Sequence, residues 1–380
     1  MELVAGYMLD HGITLGRPRN RWRTRLKAAL ASTISRTHDF GLAELIARGP
    51  DRPLILGYHR VVEDFQSSAR TEMPSMLTST AMFERHLDAI GRHFRFVSLD
   101  EIGERLASGQ PFTEHVAAVT FDDGYRDVYE QAFPVLQRKG IPAAVFVVTD
   151  LIGRPFWQIH DKLYHLVAKA FATWDDPRRE FSRLLTSLEL PADHILRTRT
   201  ATRSPLMTVS ALLPELSQSD VSRVMAGLEQ SVGNGFHDVP LTLTWPMLRE
   251  MHDAGFTIGS HTRTHVSLPA ESMDTIVREL EGSKEDIERR LGTVVTHFAY
   301  PGGQFTPRDV EALERAGYRF GYTACPHGDA EHPLLTIERL LLWEGSSVDG
   351  DGRFSPEILR CQIHDLWPPA RTCARIHYHA

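Results

Sequence analysis

Residues 120–124, with the sequence TFDDG, place the strongest constraint on the fold of this chain. They follow the apolar run Val116–Val119, whose short β-branched composition is typical of a buried strand, and Gly124 permits a sharp turn. In α/β folds the C-terminal ends of strands carry ligands and catalytic groups. Adjacent side chains point to opposite faces, so of Asp122 and Asp123 one can bind a cation while the other handles a proton. Taken alone, the stretch is more typical of an Asx turn.

Apolar runs and helical spacing alternate along most of the chain, which predicts an α/β fold with parallel strands. The predicted strands are residues 53–59, 94–97, 116–119, 142–148, 256–259, 294–300, 320–324 and 334–341. Helices are predicted between them, including 82–90, 128–136, 245–251, 273–291 and 307–316. Residues 154–240 interrupt this alternation with helical spacing only, and a structureless loop of that length is uncommon in a compact domain, so we expect a helical insertion.

The predicted organisation is an N-terminal helical extension (1–50, with a helix over Trp22–Ser35), a barrel domain (51–345) interrupted by the 154–240 insertion, and a C-terminal tail (346–380). The net charge of -7 gives no pull toward nucleic acid. The three cysteines form no Cys-x-x-Cys pair, which argues against a disulfide framework or a cysteine-rich zinc site. We expect no transmembrane segment and, because the N-terminus lacks signal-peptide order, a cytoplasmic location, with export by another route left open.

A second motif follows the predicted strand 256–259. His261 and His265 lie four residues apart there, a spacing that lets both imidazoles face one point and that is common in zinc sites. Asp123, at another strand end, could supply a third ligand and leave a coordination position open for water. Alone, the two histidines would be polar loop residues about as often as ligands, but the Asp pair favours a metal site.

A third motif, residues 298–303 (FAYPGG), ends a strand at a proline and two glycines. The exposed backbone N–H groups of such a turn can form an oxyanion hole, although an ordinary Pro-Gly turn is the simpler interpretation.

The three motifs together resemble the polysaccharide deacetylases of carbohydrate esterase family 4, also called the NodB-homology domain, over roughly residues 53–343 without the insertion. The resemblance implies a distorted (β/α) barrel that removes N-acetyl groups from amino sugars by metal-dependent hydrolysis. It implies Asp122 as the catalytic base, Asp123, His261 and His265 as the metal ligands, and Thr262 as a brace of the histidine loop. Tyr300 and Pro301 would line the groove, and the N–H of Gly302 would bind the oxyanion.

The chain departs from the family pattern at two places. The arginine that orients the base in the family is Ala299 here, and Arg339, at a late strand end, is the candidate replacement. The late histidine that serves the family as catalytic acid has no counterpart after Pro301. Some relatives of the biofilm-polysaccharide type place it on an early strand instead, and His59, which ends the apolar run 54–58, matches that arrangement. Histidine's ordinary pKa of about 6.5 suits protonation of a leaving amine.

The expected cofactor is one divalent metal ion, zinc before cobalt, nickel, manganese or iron, and the expected partner is an N-acetylated saccharide. Two alternatives remain open: hydrolysis of small non-sugar amides or imides, and a silent glycan-binding domain. The insertion is expected to pack beside the groove and trim substrate access. Phe156 and Trp157 at its start could stack on sugars, but burial against the barrel is the favoured interpretation.

Overall fold

The computed structural model describes residues 52–366 with gaps at 199–200, 234–241 and 325–327. The predicted extension 1–50 and the last part of the C-terminal tail lie outside the described residues.

Parallel strands form the centre of the molecule. They are β1 (Leu54–Tyr58), β2 (Arg60–Val62), β3 (Leu77–Ser79), β4 (Arg95–Phe96), β5 (Val116–Phe121), β6 (Ala143–Val147), β7 (Thr257–Ser260), β8 (His297–Ala299), β9 (Phe320–Thr323), β10 (Ile337–Glu338) and β11 (Leu340–Leu341). Eight of them run in the order β10-β9-β8-β7-β6-β5-β1-β11, β4 pairs with β5, and β2 pairs with β3. This path is a nearly closed parallel barrel, so the predicted (β/α) barrel is confirmed.

The barrel closes around a single residue, Arg339. The prediction of one strand over 334–341 is wrong, because this segment forms two short strands that pair at opposite edges of the sheet, β10 with β9 and β11 with β1. The N–H of Arg339 donates to the Thr323 carbonyl at 2.9 Å, and the N–H of Leu342 donates to the Gly57 carbonyl at 2.9 Å. The chain thus crosses the seam at Arg339.

Helices connect the strands. They are α1 (Phe65–Ser68), α2 (Thr80–Ile90), α3 (Leu99–Ser108), α4 (Phe133–Lys139), α5 (Ile159–Thr173), α6 (Pro177–Ser187), α7 (Ala192–Ile195), α8 (Pro205–Leu212), α9 (Gln218–Val232), α10 (Trp245–Asp253), α11 (Met273–Leu291), α12 (Pro307–Arg315) and α13 (Pro356–Ile363). The predicted helix 128–136 begins as a π-helical segment, Val128–Ala132, and continues as α4. Ser98 caps α3 by accepting from the Glu101 N–H, and Gly140, at φ 64°, ends α4. No described helix combines the length and apolar character that a membrane crossing requires.

Strand alternation divides the core into two faces. Alternate residues of β1, β5, β6 and β9, such as Ile55, Ala118 and Phe146, form one cluster inside the barrel. Their neighbours along the strands, such as Leu56 and Val119, pack in a second cluster against the surrounding helices. Because Thr120 and Asp122 continue the inward set of β5, the end of this strand directs Asp122 to the barrel interior.

Helices α5–α9 lie within the predicted insertion and share a hydrophobic cluster of their own. The expected burial of Phe156 is wrong, since its side chain is 55% exposed, whereas Trp157 is partly buried against the His165 ring. The predicted tail contains α13, whose buried face packs against α2. The domain bounds 51–345 and 154–240 stay predictions.

Candidate active site

Asp122 lies at the barrel seam and is held by Arg339. Nη1 and Nη2 of Arg339 donate to the two carboxylate oxygens at 2.7 and 2.8 Å, and Nη1 also donates to Thr120 Oγ1 at 3.1 Å. Both partners are at most 3% exposed. Burial alone would raise the pKa of Asp122, but Arg339, with smaller contributions from His261 and His59, outweighs burial and holds the pKa below its ordinary value. Asp122 is therefore an ionised carboxylate in a fixed position.

Asp123 has different surroundings. Its Oδ1 lies 3.3 Å from His265 Nε2 and 3.5 Å from His261 Nε2, and its Oδ2 lies 3.6 Å from Nε2 of His160. The residue is fully buried, and neither oxygen has a hydrogen-bond partner within the described ranges. Burial would raise the pKa of Asp123, but these imidazoles, His160 foremost, outweigh burial and hold it well below its ordinary value.

The hydrogen bond of His261 sets its tautomer. Its Nδ1 lies 2.7 Å from the Ala299 carbonyl, which can only accept, so Nδ1 carries the proton and Nε2 presents a lone pair toward Asp123. Burial lowers the pKa of His261 to about 4, so the ring is neutral. A lone pair that faces an orphaned carboxylate oxygen without an intervening proton is the donor arrangement that a divalent cation satisfies. The residues at this point therefore fit a metal ion.

The backbone is strained at Asp123 and in the loop that carries the two histidines. Asp123, Thr262 and His265 have φ values of 72°, 67° and 62°, a region that residues other than glycine rarely occupy. The Thr262 hydroxyl accepts from the His265 N–H at 2.9 Å, as a brace of this loop would. Glu279, on α11, accepts from the N–H groups of residues 263 and 264 at 2.8 and 2.9 Å. Such strain persists only where surrounding contacts enforce it, and it is common at functional sites.

His59 lies beside Asp122 through strand register. Tyr58 of β1 pairs with Phe121 of β5, and the Asp122 N–H donates to the Tyr58 carbonyl at 2.9 Å. His59 and Asp122 are therefore the next residues on neighbouring strands, and His59 is partly buried. The position fits the predicted acid, and the role itself stays a prediction.

The third motif forms a tight turn, Pro301–Gly303, after β8. Gly302 is exposed, has φ 63°, and a Cβ there would meet no atom within 4 Å, so the turn is open at this residue. Pro301 is buried. The Tyr300 side chain is also fully buried, and its hydroxyl donates to the Leu335 carbonyl at 3.0 Å. Tyr300 thus supports the turn from within the core, and only Gly302 of the three lies open to a substrate.

The sequence analysis did not identify His160, which the insertion places against Asp123. Ligand atoms of Asp123, His160 and His265 all lie within 4.8 Å of one another. It also missed Gln158, whose side-chain amide donates to the Asp123 carbonyl at 2.8 Å, and Glu279. The available signal was three polar residues, Gln158, His160 and Asp161, which come soon after the end of β6, near the start of the predicted insertion.

Comparisons with known proteins agree with the fold and the motifs. The family described as polysaccharide deacetylase matches residues 109–182 and 203–321, which together make up half of the chain. The structure of the deacetylase PplD of Streptococcus pyogenes in complex with acetate is similar, with a TM-score of 0.52 and 19% identity, over 83% of this chain and 100% of that one. This similarity supports the barrel fold. By its match to the family model the chain is a deacetylase-type hydrolase, and it belongs to the polysaccharide deacetylase family.

Bacterial relatives also match by sequence, and they include the following two proteins. YxkH of Bacillus subtilis, which bears a polysaccharide deacetylase name, is 21% identical over 326 residues, which are 85% of this chain and 83% of that protein. The poly-β-1,6-N-acetyl-D-glucosamine N-deacetylase of Staphylococcus epidermidis is 32% identical over 108 residues, which are 26% of this chain and 37% of that protein.

Proposed function

We propose that the chain is a metal-dependent hydrolase that removes N-acetyl groups from the amino sugars of a polysaccharide or glycan precursor. The observation that carries the proposal is the contrast inside the Asp pair. Asp122 is ionised and held at both oxygens by Arg339, while Asp123 has two orphaned oxygens surrounded by imidazoles. One carboxylate is prepared to take a proton and the other to bind a cation.

Asp123, His261 and His265 would hold the metal ion, for which zinc is the first candidate because carboxylate and imidazole are common zinc ligands. When bound, such an ion supplies the Lewis acid that activates water and the acetyl carbonyl. The Nδ1–H of His261 stays on the Ala299 carbonyl and keeps the opposite nitrogen available as a ligand.

Asp122 would take the proton of the attacking water. Arg339 keeps this carboxylate charged and oriented, which replaces the family arginine that is Ala299 here. His59, beside Asp122 by register, would give a proton to the departing amine, because an amine anion is too poor a leaving group at neutral pH. The N–H of Gly302, on the open turn, would stabilise the developing oxyanion.

The relatives suggest the substrate class. Because one of them is named for poly-β-1,6-N-acetyl-D-glucosamine, oligomers of that polymer are the first substrates to test. The exposed Phe156, two residues before the buried Gln158 that contacts Asp123, could provide a sugar platform at the mouth. A cytoplasmic site of action remains part of the proposal.

Acetate release from such oligomers, measured before and after metal removal by a chelator and again after zinc is restored, tests the proposal. We expect release that disappears with the metal and returns with it. Release from a small amide such as an N-acetyl amino acid, and none from the oligomers, would favour the small-amide alternative. Saccharide binding without acetate release under every metal condition would favour the silent glycan-binding alternative.

A further inference from the structure

The insertion reaches the metal carboxylate at two points. The Gln158 side-chain amide donates to the backbone carbonyl of Asp123 at 2.8 Å, and His160, in the first turn of α5, approaches Asp123 Oδ2 with Nε2 at 3.6 Å. Gln158 and His160 are 1% and 4% exposed. The insertion is therefore a wall of the site and contacts the residue that the barrel supplies for the metal.

The role of His160 depends on whether its Nε2 atom carries a proton. The Tyr125 hydroxyl lies 2.6 Å from Asp161 Oδ2 and 2.9 Å from His160 Nε2. The hydroxyl has one proton, and it donates this proton to Asp161 Oδ2. The Tyr125 oxygen then accepts from Nε2–H of His160, an assignment that follows from the hydrogen-bond network. A protonated Nε2 has no lone pair to offer a metal.

Tyr125 is held in place from the opposite side. The Arg60 guanidinium lies over its ring, 4.8 Å from the centroid, and Arg60 Nε donates to Asp127 Oδ2 at 2.7 Å. Arg60 also pairs with Glu72. A fully buried ring under a paired guanidinium has little freedom to turn its hydroxyl away from His160.

The two oxygens of Asp123 are therefore divided between two sets of partners. Oδ1 faces His261 and His265, and Oδ2 faces His160. We propose that His160 is a positioning residue that the insertion contributes to the metal site: its Nε2–H, which donates to Tyr125, lies 3.6 Å from Oδ2 of Asp123 and attracts that oxygen electrostatically, so that Oδ1 is presented to the metal. This inference rests on the metal site of the proposed function.

Cobalt(II) binding tests the inference, because the absorption spectrum of bound cobalt reports its ligands and geometry. The variants are His160→Ala, His160→Gln, Tyr125→Phe and the double variant with His160→Ala and Tyr125→Phe. His165→Ala is the matched control, since His165 lies on the same helix and meets the Trp157 ring edge-on.

We expect H160A to weaken cobalt affinity about 10–100-fold, which is typical when a partner of a metal ligand is lost, with an unchanged spectrum for the cobalt that binds. H160Q, whose amide N–H can replace Nε2–H, should recover most of the affinity. Y125F should weaken cobalt affinity. Adding Y125F to H160A should reduce the affinity little further, because both changes break the same chain of contacts. H165A should bind cobalt as the wild type does.

A changed cobalt spectrum in H160A would make His160 a ligand, and H160Q binding as weakly as H160A would show that an N–H group at this position does not support the site. Either result would overturn the inference. Wild-type affinity in H160A would also overturn it. If H160A does not fold, the cobalt spectra and cobalt affinities of H160Q and Y125F test the inference by the same criteria. Wild-type protein that binds no cobalt would overturn the proposed metal site itself, which distinguishes the two failures.

Discussion

The seam side and the insertion side of the barrel mouth hold two adjacent carboxylates in opposite ways. At the seam, Arg339 donates to both oxygens of Asp122 at 2.7 and 2.8 Å. At the insertion side, Asp123 lies among three imidazoles, and its oxygens have no hydrogen-bond partner among the described residues. Both carboxylates are buried, so the difference lies in the partners and not in exposure to water.

The partners differ in what they can do. A guanidinium is always charged and has no lone pair, so it can hold an anion in place but cannot itself be a metal ligand. An imidazole can release its proton and become a ligand. The protein thus completes the seam carboxylate with its own residues, while the other carboxylate keeps unpartnered oxygens, at which we propose that a cation binds.

The largest effect is expected from His265→Ala, which removes one of the proposed metal ligands around Asp123. This variant should lose bound metal and acetate release together, measured as metal content of the purified protein and as turnover. His252→Ala, on α10, is a control for loss of a histidine elsewhere. A full metal complement in the His265 variant would refute the assignment of this residue.

His59→Ala should keep the metal and lower turnover by about 10²–10⁴-fold, the usual cost of losing one acid–base group. The measurement is turnover of metal-loaded protein at neutral pH. If turnover stays near that of the wild type with metal bound, His59 is not the acid, and the histidines after Pro301 become the next candidates.

Arg339→Met should reduce the free energy of unfolding by about 3–5 kcal/mol, because it leaves the Asp122 charge buried without a partner. Denaturant titration measures the loss. The paired variant with Asp122→Asn and Arg339→Met should regain part of the stability, since the uncompensated charge is gone, although it should remain inactive. Equal stability of the single and paired variants would show that Arg339 contributes packing and not charge pairing.

The smallest effect concerns pH. Burial opposes the charged form of His265, but the adjacent Asp123 outweighs burial and raises its pKa above the ordinary 6.5. Protons therefore compete with the metal as pH falls through that raised pKa, and apparent metal affinity should drop by about tenfold per pH unit for one displaced proton. The pKa of Asp122 is lowered below 3.8, so the base should stay ionised over the same window. Metal affinity that is constant from pH 8 to pH 5 would contradict this prediction.

The strand ends were predictable because local motifs mark them. An apolar run followed by two aspartates, or by a histidine pair, identifies β5 and β7 without knowledge of the rest of the chain. Helices α2 and α11 were predictable from the helical spacing of their residues.

The seam and the insertion contacts were not predictable in the same way, because they depend on how distant segments meet. The run 334–341 has the composition of one strand, and only barrel closure divides it at Arg339. His160 lies 37 residues from Asp123 along the chain, and its position depends on where the insertion packs. The polar residues near the start of the insertion indicate a candidate site, but they do not show which distant residue they contact.

Anomalous X-ray diffraction from zinc-loaded crystals tests the assignment of the two carboxylates most directly. We predict one peak per chain at bonding distance from Asp123 Oδ1, His261 Nε2 and His265 Nε2, with Asp122 still paired to Arg339 and His160 still bonded to Tyr125. A zinc peak at bonding distance from Asp122, or the absence of a peak at Asp123 in protein that releases acetate, would contradict this assignment of the two carboxylates.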